Sequence, residues 1–212
     1  MDIASFLRRG RRASLTGVIL AGGKKRHAGG VHPALLPFHR EKMVNRQFRL
    51  MRPVCAELIL VTDEPRLFLP VLEADVRLIT DYYSNVGPLG GVHAALSLAC
   101  HDEVWLAGCD MPFLSPQATL LMLDRKLRHR LDAVVPCINA TLYPLHGVFG
   151  RSLAGLAANL AAAETHGVLS LLDGIRYDTM REWNFRNRGI EPNFIFRANT
   201  RETYEDALCM KS

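Results

Sequence analysis

Short apolar runs rich in β-branched residues alternate with longer amphipathic stretches almost from end to end of the chain. The runs at residues 15–21, 57–62, 76–80, 103–107 and 132–136 are too continuously apolar for strands with one wet face. They read as strands buried on both sides, which requires a largely parallel sheet covered by helices. The covering helices are legible too. Residues 43–53 and 116–129 have helix-like spacing, and residues 87–100 open as a glycine-rich turn and continue as a helix. Further on, the pattern predicts a strand at 143–149, a helix at 152–163, a strand at 193–198 and a helix at 200–208. No internal repeat, low-complexity segment or linker interrupts this order. One α/β domain over residues 15–212 is expected, preceded by a flexible basic arm over residues 1–14.

A chain of 212 residues suits a single domain and buries most of its unfolded surface without staples. Apolar residues at 49% and charged residues at 22% exclude disorder as the overall state. The five cysteines form no CxxC pair, and their odd count argues against both a disulfide framework and a zinc site. Thiols kept reduced in the cytoplasm are the expectation. Part of the net charge of +5 comes from Arg8, Arg9, Arg11 and Arg12. The apolar run after these arginines ends at Gly22-Gly23-Lys24-Lys25, too soon for an export signal. No stretch approaches the roughly 18 apolar residues that span a bilayer. The remaining positive excess suits an anionic substrate, and neither a nucleic acid nor a membrane is expected as a partner.

Three segments follow strand ends, where open α/β sheets bind ligands. Residues 20–30 (LAGGKKRHAGG) combine glycines, which let backbone N–H groups approach an anion, with cations. On composition alone this is equally a tight surface turn or a phosphate cradle, and it is neither a Walker A loop nor a GxGxxG fingerprint. Asp81 ends the third strand ahead of Gly87-Pro88-Leu89-Gly90-Gly91, which reads as a helix-capping acid or as a ligand contact. Asp110, in CDMPFL after the fourth strand, is either the cap of the next turn or a ligand for a hard cation. Mg2+ binds through one or two carboxylates together with substrate phosphates, so a single strand-end aspartate suffices.

The run TGVILAGGKKRHAGGVHPALL resembles the opening of the molybdenum cofactor guanylyltransferase family, on Leu20, Ala21, Gly22, Gly23, Arg26, Gly29, Gly30, Ala34, Leu35 and Leu36. The GPLGG turn, CDMPFL, the YPLHGVF stretch and Asn199-Thr200 extend the likeness over roughly residues 15–208. The resemblance implies a Rossmann-like, three-layer nucleotidyltransferase fold with a mainly parallel sheet. It implies transfer of GMP from GTP to the phosphate of the molybdopterin cofactor with release of pyrophosphate, Mg2+ as cofactor, and cofactor-synthesis proteins or molybdoenzymes as further partners. Carried over residue by residue, the nucleotide positions are Leu20, Ala21, Gly22, Gly23, Thr62, Asp81, Gly87, Pro88, Leu89 and Asp110. Asp110 and Asn199 are the metal positions, and Arg26 and Asp110 the catalytic ones. His146 is either a packed strand residue or a contact on the acceptor side.

The departures from the family pattern fall in the first loop and near the end. His27 and Ala28 stand for arginine and methionine, His32 and Pro33 for an aspartate–lysine pair, and Arg197 for an asparagine. In the family the lysine reaches the nucleotide phosphates, and proline has neither a charge nor a backbone donor. Lys24, Lys25 and Arg26 are the cations left to serve there. The same departures suit a second reading, a non-catalytic relative that binds nucleotide or cofactor, and a third reading is a related transferase using CTP. A dinucleotide-dependent oxidoreductase is disfavoured, because its glycine fingerprint is missing.

Overall fold

The structure, a computed structural model, describes residues 13–22, 30–81, 87–165 and 167–210. Residues 1–12 of the expected arm and residues 23–29 of the first loop, Gly23 and Arg26 among them, lie outside the described residues. Strand β1 (Ala13–Leu20) leads through a short hairpin, β2 (Pro37–Phe38) and β3 (Glu41–Lys42), into helix α1 (Met43–Met51). Then come β4 (Cys55–Val61), the single turn α2 (Pro65–Phe68), β5 (Val76–Ile79), α3 (Pro88–Leu98) and β6 (Glu103–Gly108). The second half holds α4 (Pro116–His129), β7 (Ala133–Ile138), β8 (Thr141–Leu142), β9 (Gly147–Gly150) and α5 (Ala154–Ala162). It closes with β10 (Tyr177–Arg181), α6 (Glu182–Arg186) and α7 (Arg201–Cys209).

The main sheet runs β10-β7-β9-β6-β1-β4-β5, with β8 beside β7. Its pairs are parallel except those of β9 with β6 and β7 and that of β8 with β7. Alternation along each strand sends side chains to two separate cores. Leu15 and Ile19 of β1, Leu58 and Leu60 of β4 and Trp105 and Ala107 of β6 pack with α1 and α4 on one face. Val18 and Leu20, Ile59 and Val61, and Val104 and Leu106 pack with α3 and α5 on the other. This two-sided burial is why the central strands β1, β4 and β6 are apolar at successive positions. Gly17 lets α1 settle against β1, because a Cβ there would lie 3.0 Å from Sδ of Met51, the last residue of α1.

Several boundaries differ from the sequence expectation. Strand β1 begins at Ala13, two residues early, because Ala13 pairs with Cys55. The strand expected at 143–149 starts only at Gly147, since His146 takes φ 125°, which breaks strand geometry. The strand expected at 193–198 is instead a 3-10 turn, Pro192–Ile195, followed by irregular chain. Phe194 enters the α1–α4 core, while Phe196 packs toward Phe113 in a smaller cluster beneath α7. An i, i+2 aromatic pair that reads as one strand face thus bridges two cores. Strand β10 and helix α6 have no counterpart in the reading, because β10 is an edge strand with only Met180 buried. After α5 the chain forms a 3-10 turn, Val168–Leu172.

Candidate active site

The strands β5, β4, β1 and β6 are neighbours and parallel, and their carboxyl ends are in register: Leu20 pairs with Val61 and Gly108, and Val61 with Ile79. The residues just beyond them therefore share one edge of the sheet. Gly22, Thr62, Asp81 and Asp110 come from four segments and converge there, with the N-terminus of α3 opening onto the same edge. Three strand spacings separate the ends of β5 and β6, about 14 Å.

Leu20 and Ala21 are buried and serve through the backbone: the Ala21 N–H donates to the Val61 carbonyl (2.8 Å), and the Leu20 carbonyl accepts the Cys109 N–H (3.2 Å). Gly22 is exposed where the chain leaves the sheet. Thr62 is fully buried, and its hydroxyl oxygen accepts the Glu64 N–H (3.1 Å), closing a local turn. Gly87 takes φ 66°, ψ −151° as the N-cap of α3, a conformation that side chains resist. Pro88 and Leu89 form the first turn, with Leu89 fully buried. The Asp81 carboxylate lies against this turn so closely that a methyl group at Gly90 would overlap it. An acid at a helix N-terminus is electrostatically favoured there.

His32 and Pro33 have structural work in this chain. His32 is buried, its Nδ1 accepts the Ala34 N–H (3.1 Å), and its Nε2–H therefore donates to the Ala21 carbonyl (3.1 Å). Pro33 occupies the first position of the 3-10 turn that His32 caps. The pair thus ties this turn to the end of β1.

Asp110 is buried to 5% exposure, and two helix side chains brace its loop. Gln47 of α1 donates from Nε2 to the Gly108 carbonyl (2.7 Å) and the Met111 carbonyl (2.9 Å). Arg46 donates from Nε to the Pro112 carbonyl (2.8 Å) while its guanidinium lies over the Phe38 ring. Neither residue was anticipated, although two polar residues inside the Val44, Phe48, Met51 pattern are the signal that would have marked them. Gly108 leaves room for the carboxylate, since a Cβ there would lie 2.9 Å from Asp110 Oδ1. From the far end of the chain the Ala198 N–H donates to the Asp110 carbonyl (2.7 Å). That anchor brings Arg197 onto the carboxylate, with its Nε at 2.9 Å and an Nη at 2.7 Å from Oδ2. Burial alone would lower the Arg197 pKa, and the hydrogen bond and negative charge of Asp110 together outweigh it and raise it. Asn199 is exposed, so Arg197 is the member of this segment that reaches Asp110. Burial and the adjacent Asp110 charge push the Cys109 thiol up to about 12, which keeps it protonated.

Among the described residues no three His, Cys, Asp or Glu side chains stand close enough together to cage a metal. Asp110 Oδ1 is nonetheless buried with no hydrogen-bond partner. An anionic oxygen without a donor is a position that a cation fits, with substrate oxygens completing its coordination. His146 stands beside the carboxyl end of β6 as a packed residue. Its Nε2 accepts the Ser115 N–H (3.1 Å), its ring stacks near Trp105 and Phe194, and burial lowers its pKa to about 3.

A mainly parallel, doubly wound sheet with a ligand crevice at its carboxyl edge is an architecture of nucleotide-binding α/β proteins. The chain matches the MobA-like NTP transferase domain model over residues 17–180, and it belongs to that family. It is 29% identical over 196 residues to the molybdenum cofactor guanylyltransferase of Desulfosudis oleivorans, covering 92% of this chain and 94% of that protein. The molybdopterin-guanine dinucleotide biosynthesis protein A of Archaeoglobus fulgidus shares the fold with a TM-score of 0.78 at 21% identity, over 91% of this chain and 96% of that one. A Mycobacterium tuberculosis protein crystallised in complex with manganese shares it with a TM-score of 0.63 at 16% identity, over 93% and 99% of the two chains. Among the described residues, no helix is long and apolar enough to cross a membrane.

Proposed function

We propose that this protein is a nucleotidyltransferase of molybdenum cofactor biosynthesis that transfers GMP from GTP to the terminal phosphate of molybdopterin, releasing pyrophosphate. The observation that carries the reading is the convergence of Gly22, Asp81, the Gly87 end of α3 and Asp110 on one sheet edge. The Leu20–Gly22 exit meets the triphosphate in this reading, and Gly23 and Arg26, outside the described residues, are its further nucleotide-binding and catalytic candidates. Asp81 and the turn at Gly87, Pro88 and Leu89 hold the base and ribose side, and Thr62 shapes the floor between them. Asp110 Oδ1 would hold a divalent metal, Mg2+ in this reading, which would supply charge neutralisation for the phosphates. The acceptor phosphate is itself the nucleophile, so the protein's task is to align it with the α-phosphate and to exclude water. Gln47 and Arg46 keep the Asp110 loop fixed while this happens.

Pro33 in the position of the family lysine, and Arg197 on the Asp110 carboxylate, favour a second reading in which the site binds nucleotide without turning it over. Calorimetric titration with GTP and CTP, with and without Mg2+, tests the binding that both readings need. GTP should bind more tightly with Mg2+, and Asp110→Ala should remove that gain while leaving the far-UV dichroism unchanged. A Mg2+ gain that survives in Asp110→Ala would remove the metal assignment. Intact Mg2+-dependent binding without pyrophosphate release in the presence of molybdopterin would favour the second reading.

A further inference from the structure

The Asp110 carboxylate already has a cation. Arg197 approaches Oδ2 through two nitrogens, at 2.9 and 2.7 Å, and the Ala198 N–H bond to the Asp110 carbonyl holds this segment in place. The two ends of the pair differ in freedom. Asp110 is buried and braced by Gln47 through the Gly108 and Met111 carbonyls, whereas the Arg197 side chain is about half exposed, at 47%. The carboxylate cannot leave, but the guanidinium can swing into solvent. Oδ1, meanwhile, is buried and unpartnered, so the bond to Arg197 uses only one of the two oxygens.

We propose that Arg197 is a built-in counter-cation that competes with the divalent metal for Asp110 and thereby makes metal binding depend on nucleotide. The proposal rests on the reading of Asp110 as the metal ligand. Without nucleotide, a metal ion must either displace the guanidinium or share one carboxylate with a second positive charge, and both weaken its binding. A nucleoside triphosphate changes the balance, because its phosphates coordinate the metal and offer the released guanidinium a bidentate anionic partner. Arg197 then passes from the carboxylate to the triphosphate as metal and nucleotide enter together. An asparagine at this position, as in the family pattern, offers no charge to compete.

Manganese titration monitored by electron paramagnetic resonance tests this on the full chain without any turnover. Wild type, Arg197→Asn, Arg197→Lys and Asp110→Ala are each titrated with Mn2+ alone and with Mn2+ plus a non-hydrolysable α,β-methylene GTP. Arg197→Asn should bind Mn2+ alone about tenfold more tightly than wild type, which corresponds to about 1.4 kcal/mol. Its affinity should also gain less from the GTP analogue than the wild-type affinity does. Arg197→Lys keeps a charge but loses the fork, and should fall between the two. Asp110→Ala should lose the Mn2+ site in both conditions. If Arg197→Asn and Arg197→Lys bind Mn2+ no tighter than wild type while Asp110→Ala still abolishes binding, the competition is overturned and the metal assignment stands. If Asp110→Ala leaves Mn2+ binding intact, the metal assignment falls and the proposal with it.

Discussion

Gln47 shows how a residue governs this site without lying on the crevice surface. Its amide nitrogen holds two carbonyls of the Asp110 loop, and it is completely buried in α1. Gln47→Leu keeps the volume of the side chain, strands the Met111 carbonyl in the interior and leaves the Gly108 carbonyl with the longer bond from the Met111 N–H (3.3 Å). One unsatisfied buried acceptor and one weakened one should lower stability by about 1–3 kcal/mol in urea denaturation. Because the same loop carries Asp110, the Mg2+-dependent part of GTP affinity should fall as well. A variant within about 0.5 kcal/mol of wild type would show that the loop holds its shape by other contacts. His32 is a comparable case: its two ring nitrogens join the chain on either side of the first glycine loop, at Ala21 and Ala34. The residue that departs from the family pattern thus gives the loop a neutral hydrogen-bonded brace in place of a charge.

At the scale of single elements, helix α3 matters most, because its N-terminus opens on the crevice. Two glycine substitutions separate backbone need from ordinary helix propensity. Gly87 sits at φ 66°, ψ −151°, where a Cβ is strained whatever space surrounds it. Gly87→Ala should therefore cost about 1–3 kcal/mol and weaken GTP binding by misdirecting the first turn of α3. Gly155 lies inside α5 with open space around its Cα, so Gly155→Ala should instead stabilise by about 0.5–1 kcal/mol. Thermal melts and GTP titrations of the two variants check the contrast. Equal and small effects would mean that the Gly87 conformation is not required. Element boundaries were legible in the sequence where burial is two-sided, as in β6, and where chemistry marks an end. Helix α4 begins at Pro116 after the Ser115 cap and ends at His129 as the pattern requires, since Ser115 Oγ accepts the Ala118 N–H. Edge strand β10 was not legible, because a strand that buries one side chain has no apolar run to display.

For the whole molecule, the two ends of the sheet carry different kinds of charge. The amino edge holds structural pairs. Burial would raise the Glu57 carboxyl, but the Cys100 N–H, the Thr16 hydroxyl and Arg77 outweigh it and lower its pKa to about 2. On the same edge Lys126, almost fully buried, pairs with Glu103 at 2.6 Å. His146 is held neutral by burial, its pKa lowered to about 3. Both shifts are downward, so both groups contribute stability that is complete above their unfolded values and lost as pH falls. For His146 the loss runs from about pH 6.5 toward about 3, and for Glu57 from about pH 4.3 toward about 2. Between about pH 7 and 5 the histidine alone should remove about 2 kcal/mol. Urea melts at these pH values should show that loss in wild type and much less of it in His146→Asn, whose amide oxygen can still accept the Ser115 N–H. An equal decline in both proteins would assign the acid sensitivity to other groups.

Sequence by itself determined the architecture and the sheet edge on which the proposed site falls. Continuous apolar runs can be buried only between two helical layers, and the glycine and aspartate motifs fall at strand ends because a parallel sheet puts those ends on one edge. The family likeness carried by residues 20–36 and by CDMPFL was legible for the same reason: a motif is local, so its order survives in the chain. Only the tertiary structure decided what surrounds Asp110. The pairing with Arg197 spans 87 residues, and the brace from Gln47 spans 61 and 64. Such contacts depend on where α1 and the chain after β10 come to rest, which hydrophobic periodicity does not encode. His146 was left open between packing and binding on the sequence, because a histidine in an apolar strand looks alike in both roles. Its complete burial among Trp105, Phe194 and the Ser115 cap assigns it to packing, since desolvation keeps the ring neutral and the Ser115 N–H occupies its one acceptor.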